Sequence, residues 1–149
     1  MLKPIAIAAA ISGTLDILLA MILTLWFGRE IPDMLRSVAS GPFPAATEMA
    51  GAGAALGLVV HFTLMAIMAA VFMWIVRQRP ALLDTPYRTA LAFGVVTYFA
   101  MNWLVVPLRF GSPLPPSTLS IVTQLFAHIV LVGIPFALVA IRHLEPRPA

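Results

Sequence analysis

The chain has no cysteine, which excludes disulfide bonds, thiolate metal ligands and a cysteine nucleophile. It has little charge, since Asp, Glu, Lys and Arg make up only 10% of its 149 residues, whereas a soluble domain averages about 25%. It also has no GxSxG, HExxH or glycine-rich phosphate-loop motif. The sequence therefore favours a non-enzymatic protein and does not favour a soluble one.

Positive charge is in slight excess, with a net charge of +3 and a pI near 10.2. A nucleic-acid-binding protein would gather its Lys and Arg into a stripe with aromatic side chains between them. Here the nine basic residues are spread over the chain ends and loops. The charge pattern therefore argues against a nucleic-acid partner.

Apolar residues dominate the chain, at 61% of the sequence with a mean hydropathy of +1.00. A transmembrane helix needs about 20 mostly apolar residues, and four segments meet that length. Backbone groups inside a bilayer must be satisfied within the segment, which makes these spans helices. The first span is too long for a signal-peptide core and lacks a small-residue cleavage site, so we expect it to be retained. We predict one all-α transmembrane domain over residues 1–149, an integral membrane four-helix bundle with spans at 5–27, 51–76, 88–107 and 118–141.

Loop charge predicts the orientation of the bundle. The positive-inside rule places the side richer in Lys and Arg in the cytoplasm, so both termini are expected to be cytoplasmic. The richer side carries Lys3, Arg77, Arg79, Arg88, Arg142 and Arg147, and the other side carries Arg29, Arg36 and Arg109.

The outer loop, residues 28–50, is the one long connection and is expected to contain a short helix. Pro32 suits a first helical turn, and Gly41 followed by Pro42 would end the helix. Its apolar face predicts an interfacial helix lying on the outer leaflet, and a lid over a site is the alternative. That face comprises Ile31, Met34, Leu35 and Val38.

The two outer loops end alike, which suggests an internal repeat. Residues 41–47 and 111–118 are both proline-rich, and each stretch leads into a span with one central histidine. The span before each loop carries a glycine at a similar place. The pattern predicts two parallel helical hairpins related by an axis along the membrane normal. The paired residues are Gly13 with Gly94 and His61 with His128.

Asp16 lies in the middle of the first span, where a carboxylate costs roughly 2.5–3.5 kcal/mol on insertion scales. It should therefore have a partner or a function. His61 and His128 are the candidate partners, because each stands alone in another apolar run. At 1.5 Å per residue all three lie about 15–16 Å below the outer ends of their spans. We predict a polar layer formed by these three side chains near the membrane midplane.

A second polar layer is expected above the first. Asn102 and Gln124 lie about 8–9 Å from the outer ends of their spans. Tyr98 is one helical turn from Asn102 and shares its face. These three residues join the Asp16 layer as candidate ligand- or proton-binding groups.

Glycine and proline shape two of the spans. Gly53 and Gly57 form a GxxxG motif, which permits close approach of another backbone, either within the bundle or at a dimer face. Pro135 lies inside the fourth span and should bend it.

Three accounts of the Asp16 layer stay open. The first is a buried Asp–His hydrogen bond that only fixes helix packing. The second is a proton- or ligand-coupled pathway, because histidine titrates near physiological pH and membrane proton relays use such pairs. Four short helices leave little room for a route through one copy, so this account predicts a homo-oligomer or a larger membrane complex.

The third account is a cofactor site, although no cofactor is predicted outright. His61 and His128 could be the axial ligands of haem b, with Gly53, Gly57 and Gly133 clearing space for the porphyrin. Alternatively, Asp16 and the two histidines are three ligand types that suit a divalent metal with one open position. Either group would make the protein a membrane redox component.

Short pieces of all four spans resemble a family of small bacterial membrane proteins with four helices. The pieces are residues 13–17, 56–62, 101–108 and 128–135. The resemblance implies a bacterial inner membrane and a four-helix architecture, and it implies no activity and no catalytic residues. Taken together, the sequence predicts a non-enzymatic inner-membrane protein for small-molecule or proton-coupled binding or transport, or an accessory subunit. The lipid bilayer is its expected partner.

Overall fold

The computed structural model describes residues 1–144, which are almost entirely helical and contain no strand. Four of the five helices described there are long and apolar enough to cross a membrane, which confirms the predicted all-α membrane bundle. Arg147, one of the basic residues counted above, lies outside the described residues. The helices are α1 (Leu2–Trp26), α2 (Ile31–Ala39), α3 (Ala50–Gln78), α4 (Pro86–Phe110) and α5 (Thr118–Leu144).

The observed spans extend beyond the apolar runs that predicted them. Polar residues continue α3 to Gln78, since Arg and Gln are good helix formers. Pro86 begins α4, where its missing N–H costs nothing. Gly111 ends α4 with a left-handed φ of 65°. At the start of α5, the hydroxyl of Ser117 accepts a hydrogen bond from the Ser120 N–H at 3.3 Å, so this helix begins where the sequence predicted.

The bundle is built from two hairpins. α1 packs on α3, and α4 packs on α5, while α5 also packs on α1. By contrast, α3 and α4 are consecutive in the chain yet make few direct contacts. Phe72, Phe93 and Phe136 form an aromatic cluster between the hairpins, with ring centroids 4.9–6.0 Å apart.

The helix ends fall into two groups. The start of α1, the end of α3 and the end of α5 meet around one pocket lined by Met1, Arg77 and Leu144, and we call this side the basic end. The opposite side carries α2 and the end of α1, and we call it the loop end.

The short helix α2 packs part of its apolar face on α3, and its placement at the membrane interface stays a prediction. Leu35 and Ala39 are buried against α3. A Cβ at Gly57 would clash with the backbone carbonyl of Leu35, and one at Gly53 would clash with the carbonyl of Ala46. The GxxxG motif therefore admits a close backbone, as expected, but the partner is the outer loop rather than another span.

Two side chains hold α2 in place. Arg109, near the end of α4, donates from Nε to the carbonyl of Gly41 at 2.6 Å and from Nη2 to the carbonyl of Ser40 at 2.7 Å. These carbonyls lie at the C-terminal end of α2, where a cation is favoured. Arg36 pairs with Asp33 and donates to the carbonyl of Ala50 at 3.2 Å.

Two spans contain a wider, π-helical segment just before an internal proline. One covers Ala100–Val105, ahead of Pro107, and the other covers Ala127–Gly133, ahead of Pro135. A proline ring clashes with the carbonyl four residues earlier, and a widened turn relieves that clash. The distortion expected at Pro135 therefore takes the form of a π segment, and it places His128 and Asn102 in irregular helix.

Candidate polar site

His61 lies at the contact between α1 and α3. Its Nε2 is 2.9 Å from the carbonyl oxygen of Gly13, and its Nδ1 is 3.9 Å from Oδ2 of Asp16. Gly13 lets α3 approach this closely, because a Cβ there would lie 2.7 Å from the Phe62 ring. Asp16 and His61 are thus neighbours, as the sequence suggested. The carbonyl of Gly13 also belongs to this site, and the sequence did not indicate it.

The Gly13 carbonyl fixes the proton arrangement on His61. A carbonyl oxygen only accepts, so Nε2 of His61 must carry its hydrogen and donate it. In a neutral imidazole the other nitrogen, Nδ1, is then a bare acceptor that points toward the Asp16 carboxylate. A separation of 3.9 Å exceeds the roughly 2.7–3.2 Å of a direct hydrogen bond, but one bridging water or a small side-chain rotation spans it.

Asp16 is half-buried on the inward face of α1 rather than on its lipid face. Ser12, one turn earlier, is fully buried, and Ile17 is 6% exposed. The side chain of Asp16 nevertheless keeps 23% of its surface exposed. Ala20 and Thr24 continue the same helix face toward the loop end and line an open cleft. The cleft begins at Ala20, one helical turn from Asp16, and Asp16 itself is not among its lining residues.

This cleft, which we call the α1–α5 cleft, exists because the two helices diverge. α5 packs on α1 from Ala127 onward, whereas its first two turns lean away. The cleft has a volume of about 390 Å³ and borders α2 through Met34. Its polar lining comprises Thr24, Arg29, Ser117, Ser120, Thr123 and Gln124.

His128 belongs to the other hairpin and has different partners. Its Nδ1 lies 3.1 Å from the hydroxyl of Thr97, which in turn donates to the carbonyl of Phe93 at 2.9 Å. Because the hydroxyl hydrogen is used there, Nδ1–H of His128 is the donor to Thr97. His128 is therefore satisfied as a neutral imidazole without a carboxylate. The single layer of Asp16 with both histidines that the sequence predicted is split between the hairpins.

The two hairpins nevertheless place equivalent residues alike, as the predicted repeat requires. Thr97 follows Gly94 by three residues, just as Asp16 follows Gly13. A Cβ at Gly94 would lie 2.7 Å from the carbonyl oxygen of His128, so this glycine also marks a close contact within its hairpin. In both hairpins histidine Nδ1 meets the polar residue three places after the glycine, a carboxylate in one and a hydroxyl in the other. The repeat was the signal that could have found Thr97.

The remaining candidates are not gathered around Asp16. Tyr98 is buried with its ring edge toward His128, at a centroid distance of 6.2 Å, and its hydroxyl accepts from the Trp103 indole at 3.1 Å. Asn102 donates to the carbonyl of Tyr98 at 3.3 Å within its own helix. Gln124 lines the α1–α5 cleft. The expected second layer is thus also split between the two sites.

The geometry does not favour the cofactor accounts. Among residues 1–144, no three His, Asp or Glu side chains converge as a metal site would require. The space beside each glycine expected to clear room for a porphyrin is filled by backbone, from Ala46 at Gly53, Leu35 at Gly57 and Ala90 at Gly133.

Comparison with known proteins adds no further constraint on this site. No protein-family model, no curated protein and no solved structure matches the chain. The function of the chain is therefore inferred from the geometry of Asp16, His61 and the α1–α5 cleft.

Proposed function

We propose that this chain is a multi-pass membrane protein that binds a proton at the Asp16–His61 pair and exchanges it through the α1–α5 cleft. One observation carries the proposal. The Gly13 carbonyl holds Nε2–H of His61 at 2.9 Å, and this leaves Nδ1 directed at the Asp16 carboxylate 3.9 Å away. Nδ1 and the carboxylate are both hydrogen-bond acceptors, so one added proton, held by either group, would allow a hydrogen bond between them.

Charge supports the same conclusion. With one proton bound, the pair is neutral overall, either as a carboxyl with imidazole or as a carboxylate with imidazolium. Without it, the pair keeps one negative charge inside the span. A lone charge at the centre of a membrane helix costs roughly 2.5–3.5 kcal/mol on insertion scales, so the neutral, proton-bound pair is favoured.

The cleft supplies both the route and a place for a ligand. Its volume of about 390 Å³ falls within the roughly 300–1,000 Å³ of small-molecule pockets. Toward the basic end the path closes, because Ser12 donates to the carbonyl of Val132 at 3.5 Å and both residues are fully buried. The single chain therefore favours proton-coupled binding from the loop end, in a non-enzymatic or accessory role, over passage across the membrane.

The proposed setting is a bacterial inner membrane with both termini in the cytoplasm. Lys3, Arg77, Arg88 and Arg142 all belong to helix ends of the basic end. The positive-inside rule assigns that end to the cytoplasm, which directs the α1–α5 cleft to the opposite side. A homo-oligomer or larger complex remains part of the proposal for any transport role, because the single chain is closed below Asp16.

Infrared difference spectroscopy of the full chain in lipid nanodiscs tests the proton site. Spectra are recorded across a titration between about pH 5 and pH 8, the range in which histidine charge changes. We expect a pH-dependent carboxyl signal that Asp16→Asn removes and His61→Gln shifts. Asp33→Asn is the matched control, because Asp33 pairs with Arg36 at the surface and should leave the signal intact.

Two results would overturn the proposal. One is a wild-type protein without any pH-dependent carboxyl signal that Asp16→Asn removes. The other is a signal that His61→Gln leaves in place and unshifted, which would show that Asp16 titrates independently of the imidazole. A haem band in the visible spectrum of the same sample would instead favour the redox account.

A further inference from the structure

A further depression in the surface lies between α3 and α4, away from Asp16 and His61. This α3–α4 groove has a volume of about 570 Å³ and opens on the outer surface of the bundle between two spans. It exists because the two helices make few direct contacts, and the edge-to-face pair of Phe72 and Phe93 forms part of its wall. Its walls are apolar, with Ile67, Val71 and Ile75 from α3 and Ala92 and Val96 from α4.

The groove has the length of one lipid leaflet. On α4 it runs from Arg88 to Thr97, a rise of about 13–14 Å. Half of a typical hydrocarbon core is about 15 Å. Tyr87 and Trp74 lie near its basic end and are exposed, as aromatic residues at a membrane interface are. The groove therefore extends from the headgroup level to near the bilayer midplane.

Polar groups in the groove are concentrated at its basic end. Arg88 and Thr85 are exposed there, and Arg88 forms no ion pair with any other residue from 1 to 144. At the deep end, the Thr97 hydroxyl is already bonded to the carbonyl of Phe93 and to His128. The groove thus offers one cation at the headgroup level and an apolar channel below it.

We propose that the α3–α4 groove binds one anionic phospholipid of the leaflet at the basic end. The phosphate pairs with Arg88, whose planar fork suits phosphate oxygens, and one acyl chain lies between α3 and α4. A zwitterionic lipid would bring a second positive charge close to the Arg88 guanidinium, which disfavours its binding. A helix about 10 Å across from a second copy would occupy roughly 1,000 Å³ over this length, so most of it would lie outside the groove.

Lipid binding to the purified full chain, measured by native mass spectrometry in detergent, tests the proposal. The probes are dioleoyl phosphatidylglycerol, dioleoyl phosphatidylcholine and free glycerol phosphate. We expect the wild-type protein to retain phosphatidylglycerol preferentially, and glycerol phosphate not to compete with it. Arg88→Gln should weaken phosphatidylglycerol binding roughly fivefold, because one basic residue contributes about 1 kcal/mol to binding at an anionic lipid surface. Arg77→Gln is the matched control, because Arg77 lies at the same end but lines a different pocket.

A second pair of variants tests the apolar channel. Ala92→Phe should fill the groove and weaken phosphatidylglycerol binding, whereas Leu91→Phe, on the exposed surface beside it, should not. Equal binding of both lipids, or equal losses from Arg77→Gln and Arg88→Gln, would overturn the proposal. Competition by glycerol phosphate would also overturn it by showing a headgroup site alone. A change of oligomeric state in Ala92→Phe with lipid binding unaltered would assign the groove to a second copy.

Discussion

His61 bonds the backbone of Gly13 through one ring nitrogen and presents the other to Asp16. The 2.9 Å contact between Nε2 and the Gly13 carbonyl oxygen couples a side chain of α3 to the backbone of α1, and Gly13 is what allows the two helices to meet there. Because a backbone carbonyl cannot change its role from acceptor to donor, Nε2 of His61 keeps its hydrogen as long as this contact holds. Any proton that the site gains or loses must therefore be carried on the side of Asp16.

The cleft above this pair should be open to water-soluble reagents. The chain has no cysteine, so a single introduced thiol reports without background. We expect Ala20→Cys, in the α1–α5 cleft, to react in intact cells with a membrane-impermeant maleimide. Ile22→Cys, which is 61% exposed on the outer face of α1, should not react, because lipid covers it.

The same labelling tests the orientation of the bundle. Reaction of Ala20→Cys only after the cytoplasmic face is exposed in inverted vesicles would reverse the predicted topology. Equal reaction of both thiols would mean that α1 does not separate a wet face from a lipid face.

The packing of α2 on α3 should not tolerate a side chain at Gly57. A Cβ there meets the backbone of Leu35, which cannot move aside as a flexible side chain would. We expect Gly57→Ala to destabilise the fold by about 1–3 kcal/mol, the usual cost of overpacking, and to loosen α2. A thiol at the buried Ser40 position, introduced as Ser40→Cys, should then react at least severalfold faster with maleimide.

Gly51→Ala is the control for that experiment, because a Cβ at Gly51 meets nothing within 4 Å. It should leave both the unfolding free energy and the thiol reactivity near their wild-type values. If the two glycine variants have the same unfolding free energy and the same thiol reactivity, α2 does not pack on the GxxxG face of α3.

Arg109 should hold the C-terminal end of α2 through its forked shape as well as its charge. It donates to the carbonyls of both Ser40 and Gly41, and hydrogen bonds from charged groups contribute about 1.5–3 kcal/mol. We expect Arg109→Gln to raise the reactivity of the Ser40→Cys thiol. Arg109→Lys should give an intermediate value, since an ammonium cannot reproduce the two fixed donors. A lysine variant as protected as the wild type would show that charge alone holds α2.

The sequence predicts those features that depend only on position along the chain, such as the spans and the depth of a residue within a span. Four apolar runs predict four spans, and a carboxylate in one of them predicts a polar partner at the same depth. Depth alone does not tell which helices are neighbours, however. For this reason the sequence predicts that His128 lies beside Asp16, whereas in the structure the neighbour of His128 is Thr97. The hairpin repeat contained that information, because Thr97 and Asp16 follow Gly94 and Gly13 by the same interval.

The position of α2 could not be predicted for a different reason. A short helix with one apolar face has the same sequence pattern whether lipid or protein covers that face. Only the backbone of Leu35 against Gly57 distinguishes the two cases, and that contact depends on the three-dimensional path of the outer loop. The α1–α5 cleft is similarly invisible in sequence, since it results from the divergence of two helices that are far apart in the chain.

Nitrogen-15 NMR of histidine-labelled protein in nanodiscs tests the Gly13–His61–Asp16 arrangement most directly, with His128→Asn and His143→Asn used for assignment. The structure predicts that His61 carries hydrogen on Nε2 at every pH, and that its Nδ1 resonance moves on titration in the wild type but differently in Asp16→Asn. His128 should carry its hydrogen on Nδ1 in both. A neutral His61 protonated at Nδ1, or titrations that coincide in the wild type and Asp16→Asn, would contradict the proton site.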